Sequence, residues 1–123
     1  MANIFLDPNF FFDIASRKQE KAKMLLGHNV SISPLSPHIY CYAEKLRVPD
    51  KKFNSFLKNF SVENLTSKIL GKALSGPTND LEDNIQLHST QKAKADYFLT
   101  TDKKLLKLGY FGKTKIAKSL KTE

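Results

Sequence analysis

Residues 3–15 read NIFLDPNFFFDIA, and the fold follows from that stretch. Asn3–Leu6 is short, apolar and closed by Asp7-Pro8, the pattern of a buried first strand. Pro8 suits the opening turn of a helix, where its missing N–H costs nothing, and Asp7 or Asn9 stands where a cap is needed. Phe10, Phe11, Ile14 and Ala15 then recur at helical spacing. A strand that runs straight into a helix is the first half of a βα unit.

The rest of the chain repeats this alternation. A second helix is predicted over Lys18–Leu26, stopped by Gly27. Val30–Ser33 alternates as a short strand, and Ser36-Pro37 opens a helix through Leu46. Lys51–Phe60 places Phe53, Phe56, Leu57 and Phe60 on one helical face. Leu65, Ile69 and Ala73 mark another helix. Asn79 with Glu82 resembles a capping box, opening a helix to about Ala95. Tyr97–Thr100 is predicted as a strand, Asp102–Leu108 as a short helix and Lys115–Ala117 as a last strand. Alternating βα units predict an α/β protein: a mostly parallel central sheet in a three-layer α/β/α arrangement, one domain over residues 1–123.

Composition narrows the partners. Twenty Lys and Arg oppose twelve Asp and Glu, a net charge of +8, and residues 92–123 alone carry +6. Such an excess suits a polyanion and equally suits solubility. A single cysteine, Cys41, excludes an intramolecular disulfide framework and a cysteine-rich zinc site. No apolar run reaches the ~18 residues of a membrane span, and the start lacks a secretory n-region, so a cytoplasmic protein without a membrane is expected.

The few acids fall in telling places. Asp7 follows the first strand, and Asp102 follows Tyr97–Thr100. Ligands of parallel α/β sheets bind outside the carboxyl ends of strands, so these two carboxylates can meet. Asp80 and Asp83 share a face of the helix that precedes the second of those strands. Clustered carboxylates suit Mg²⁺ or Mn²⁺, which would in turn meet a phosphate held by Lys103 and Lys104. Each acid also has a purely structural use: Asp7 and Asp102 can cap helices, and a first helical turn favours Asp80, Glu82 and Asp83. The phenylalanines, at helical spacing, read as core or dimer interface rather than base-stacking residues, although Phe10, Phe11 and Phe12 cannot all face one core.

These residues resemble the PIN domain family. IFLDPNFFFDIA is similar to its opening hydrophobic strand followed by Asp-x-Asn. NDLEDNIQLHS and ADYFLTTDKKLL are similar to its acidic helix start and its strand ending in Thr-x-Asp. The similarity runs in order from Ile4 to about Leu120, and the nearest kind is the VapC-like toxin of toxin–antitoxin pairs. The resemblance implies a PIN-like fold and Mg²⁺- or Mn²⁺-dependent hydrolysis of RNA. It makes Asp7, Asp83 and Asp102 the catalytic, metal-binding acids, with Asn9, Asp80 and Thr100 in support. It further implies RNA as substrate, a homodimer and an antitoxin protein as partner.

One departure stands out. The family's acid in the helix after the second strand falls at about His38-Ile39, where this chain has none. Glu44 lies about 140° around the helix from Ile39. That gap motivates an alternative: a PIN-like module that binds RNA or protein without cutting it.

Overall fold

The computed structural model describes residues 1–16 and 19–120. Its centre is a six-stranded sheet in the order β3-β2-β1-β4-β6-β5. β1 (Asn3–Leu6), β2 (Asn29–Ile32), β3 (Ser61–Val62), β4 (Tyr97–Leu99) and β6 (Thr114–Ala117) run parallel, and β5 (Tyr110–Phe111) closes the edge antiparallel to β6. The helices are α1 (Pro8–Ala15), α2 (Gln19–Lys23), α3 (Leu35–Glu44), α4 (Lys51–Leu57), α5 (Ser67–Ala73), α6 (Leu81–Lys92) and α7 (Lys103–Leu108).

Strand periodicity explains the layers. Along β1, Ile4 and Leu6 enter one core cluster while Phe5 enters another, so the strand is buried on both faces. The first cluster joins Val30, Ile32 and Leu99 to Phe10, Phe11, Ile14 and Phe53, residues of α1 and α4. The second joins Phe5, Phe98 and Ile116 to Leu87 of α6 and Leu105 of α7. Sheet between two helical layers is the predicted α/β/α sandwich. Among the described residues no helix is long and apolar enough to cross a membrane.

Several boundaries differ from expectation for local reasons. Lys18 lies outside the described residues, and α2 stops at Lys23. Leu25 and Leu26 donate to Ala22 and Lys23, three residues back, which tightens the chain out of an α-helix. Ser36 does not cap α3. The helix opens at Leu35, whose N–H donates to the Ser33 hydroxyl at 3.2 Å, and Pro37 falls at the third position, where no intrahelical donor is needed. α4 ends at Leu57, three residues short of Phe60. β3 and β5, two residues each, were not foreseen.

The capping box of α6 is also shifted by one. Asp80, not Asn79, is the N-cap, and its Oδ1 accepts from the Asp83 N–H at 2.9 Å. Thr78 sets that register: its hydroxyl accepts from the Asp80 N–H and donates to Asn84 Oδ1. Asp80→Ala is expected to cost about 1 kcal/mol in urea unfolding. An unchanged midpoint would show that the cap contributes nothing.

Candidate active site

The site grows out of one register. β1 pairs with β4 so that Leu6 stands opposite Leu99, and the next residues, Asp7 and Thr100, therefore leave the sheet side by side. β1 is also the strand from which the chain order turns outward in both directions, with β2 on one side and β4 on the other. Ligand crevices of open α/β sheets form at such a point.

Asp7 is 4% exposed. It occupies the N-cap position of α1, yet its side chain makes no capping bond. Its N–H donates to the Leu99 carbonyl at 2.9 Å, and its Oδ2 accepts from the Thr100 hydroxyl at 2.9 Å. Thr100 is fully buried, and its Oγ1 also accepts from the Asp102 N–H at 3.0 Å. One hydroxyl thus ties both acidic strand ends together. Asp102 caps α7 with Oδ1, which accepts from the N–H groups of Lys104 and Leu105, and its Oδ2 takes no hydrogen bond among the described residues.

The third acid arrives from α6. Asp83, half-buried in the first turn, lines a cleft of about 870 Å³ together with Asp80, Asp102, Lys103 and Lys104. Asp7 is not part of that lining. Its carboxyl is nevertheless pushed up from 3.8 to about 7, chiefly by burial. The Thr100 hydrogen bond opposes that rise, while the negative charges of Asp83, Glu82 and Asp102 add to it. Asp83 is pushed up to about 6, first by burial and then by Asp80, Asp102 and Glu82, with Lys104 acting against them. The acids therefore lie within electrostatic reach of one another, and they repel.

Among the described residues, no three Asp, Glu, His or Cys side chains stand close enough to form a ready-made metal cage. The donor set is carboxylate oxygen throughout, the chemistry of a hard cation. Mg²⁺ keeps several of its own waters and is commonly held by one or two carboxylates plus substrate phosphates, so a cage is not required.

Sequence reasoning assigned two things differently. Asn9 is exposed on α1 and makes no bond to Asp7 among the described residues; Thr100 alone supports that carboxylate. Glu82 acts on both Asp7 and Asp83, and its own carboxyl is raised by burial and by Asp80, a place in the acid cluster that its reading as capping-box partner and first-turn acid does not give it. Three acids within four residues of a helix start were its available signal. His38 and Glu44 are both exposed on α3, so no acid takes the place that falls at His38-Ile39. Cys41 has its thiol pushed up, first by burial and then by Asp50, which disfavours a reactive thiolate. Phe10, Phe11 and Phe53 are core, and Phe12 instead packs edge-on against Tyr40 at 5.0 Å.

No protein-family profile matches the sequence, and no curated protein is similar to it in sequence. Solved structures are similar in fold. The chain aligns with a toxin–antitoxin complex from Klebsiella pneumoniae at a TM-score of 0.69 and 19% identity, over 82% of this chain and 88% of that one. VapBC2 from Rickettsia felis, bound to a DNA fragment from its promoter, aligns at 0.66 and 11% identity, over 93% and 96%. The sarcin-ricin-loop-cleaving toxin VapC20 of Mycobacterium tuberculosis aligns at 0.65 and 12%, over 91% and 98%. The chain has the PIN-like α/β/α fold of these proteins.

Proposed function

We propose that this protein is a metal-dependent endoribonuclease, the toxin of a toxin–antitoxin pair. The observation that carries the proposal is the mutual repulsion of Asp7, Asp83 and Asp102, brought together from two adjacent strand ends and a helix start. Like charges gathered at the mouth of a parallel sheet are costly unless a cation or a reaction uses them. The fold shared with VapC toxins, one of them named for cleaving the sarcin-ricin loop, supports RNA as the substrate and an antitoxin as the partner.

Asp7, Asp83 and Asp102 would hold Mg²⁺ or Mn²⁺. When bound, such an ion supplies Lewis-acid stabilisation of the reacting phosphodiester and lowers the pKa of a water. In the metal-free protein the Asp7 carboxyl, with its pKa pushed up to about 7, is only half-ionised near neutral pH. Thr100 orients that carboxylate and fixes Asp102 beside it. Lys103 and Lys104 line the same cleft and hold the substrate phosphates by charge. Burial of Asp7 shields its carboxylate from bulk water, which would strengthen its attraction for a cation.

The experiment is Mn²⁺ titration calorimetry beside RNA cleavage assays at pH 5.5 and pH 8. Because Asp7 and Asp83 must both lose protons to bind a cation, affinity is expected to rise at least ten-fold between those values, with proton release. Cleavage of RNA should follow the same profile and vanish in chelator. Cation affinity independent of pH, or cleavage unaffected by chelator, would defeat the proposal.

One observation favours a second function. With no acid at His38-Ile39 and no cage among the described residues, the cleft can serve as a binding module that does not cut. Tight Mn²⁺ binding that disappears in Asp83→Asn, with cleavage present in the wild type, would reject this alternative.

A further inference from the structure

A further hollow shares Pro77 with the acidic cleft, and a second adjoins that hollow through Lys68, Lys72 and His88. The first, about 680 Å³, is lined by Lys68 and Lys72 of α5, His88 of α6 and Phe111 of β5. The second, about 370 Å³, shares Lys68, Lys72 and His88 and continues to Gln91 and Lys92 at the end of α6. Neither contains a carboxylate. Lys68, Lys72 and Lys92 are exposed, and none forms an ion pair among the described residues. The acids of the cleft thus give way, past one proline, to a surface of one sign.

Helix electrostatics do not account for all of it. Lys72 and Lys92 lie in the last turns of their helices, where the dipole favours a cation. Lys68 lies in the first turn of α5, where the dipole disfavours one. It stands four residues before Lys72, so both share a face. Phe111 is half-buried and stands perpendicular to the His88 ring, centroids 5.0 Å apart at 90°, which puts an aromatic side chain beside Lys68 and Lys72. Cations that track a backbone, interleaved with aromatic rings that accept bases, are the combination that binds single-stranded nucleic acid. Lysines alone would serve any polyanion, and the ring beside them favours one whose bases can stack.

We propose that the surface formed by Lys68, Lys72 and Lys92, with Phe111 beside the first two, is a binding track for single-stranded RNA that leads into the acidic cleft past Pro77. The proposal rests on the ribonuclease function above and gives that function a path for the strand beyond the cleavage point.

The test is fluorescence anisotropy of a labelled single-stranded RNA of about 20 nucleotides, titrated in chelator across a range of salt. Replacing Lys68, Lys72 and Lys92 together by Gln should weaken binding at least ten-fold at low salt. It should also reduce the slope of log K against log salt by about two, since each phosphate contact on a single strand contributes about 0.7. A control that makes the same charge change at Lys23, Lys51 and Lys58 should leave the slope unaltered. An unchanged slope in the first variant, or equal losses in both, would overturn the track. So would binding of poly-glutamate that depends on these lysines while RNA binding does not. Binding in chelator is independent of cutting: a wild type that cuts no RNA defeats the ribonuclease function alone, and an unaltered slope defeats the track alone.

Discussion

Asp7→Asn is expected to abolish Mn²⁺-dependent RNA cleavage and, in the same molecule, to raise the stability of the metal-free protein at pH 8. Both effects come from one carboxylate. Its folded pKa of about 7 lies above the reference of 3.8, so the folded state binds a proton that the unfolded state gives up. Stability therefore falls as pH rises from about 4, and the loss is complete above about 7. Three pKa units set an upper bound of about 4 kcal/mol. Asn keeps an oxygen to accept from Thr100 and carries no charge, so it escapes that penalty. Urea unfolding in chelator should show the variant more stable than wild type by about 2–4 kcal/mol at pH 8 and nearly equal to it at pH 4. The loss of cleavage should exceed the roughly 10–100-fold that removal of an outer partner of a metal site costs. A variant less stable than wild type at pH 8 would mean that the Asp7 charge is favourably housed, and the proposed strain would be wrong.

The other large effect lies in the core beneath the site. Phe11 is fully buried and meets Tyr40, Phe56 and Phe60 with ring centroids 6.3, 5.7 and 5.4 Å away. Phe11→Ala removes the shared member of that aromatic group and leaves a cavity that fixed neighbours cannot fill. The expected cost is about 3–5 kcal/mol, a large part of the 5–15 kcal/mol that holds a typical domain together. Phe12, one residue on, is only half-buried and touches Tyr40 edge-on, so Phe12→Ala should cost about 1 kcal/mol. Parallel urea melts decide the matter. Equal losses would mean that the two residues share the core burden, contrary to their burial.

What was legible in the sequence was whatever rests on short-range chemistry. Asn3–Leu6 reads as a buried first strand because a short apolar run is closed by Asp-Pro, and the structure buries it on both faces. Asp7 and Asp102 could be placed at strand ends because each closes an apolar run. The shift of the α6 cap from Asn79 to Asp80 was not legible, since both are good caps and the choice depends on Thr78 reaching Asn84. β3 and β5 were hidden because two residues carry no periodicity and exist as strands only through their pairing with β2 and β6. Asn9 was given a role that Thr100 fills, because the register that sets Asp7 beside Thr100 is a tertiary fact.

The Asp7–Thr100 hydrogen bond spans 93 positions of the chain. During synthesis its two halves are therefore separated by the time taken to add those 93 residues. The acid cluster cannot assemble until β4 has emerged and closed against β1, a long loop whose entropy must be met first. A nascent chain, or one truncated before Tyr97, lacks Thr100 and Asp102 and so cannot assemble the cluster. For the ribonuclease proposed above, the order of the chain is itself a delay.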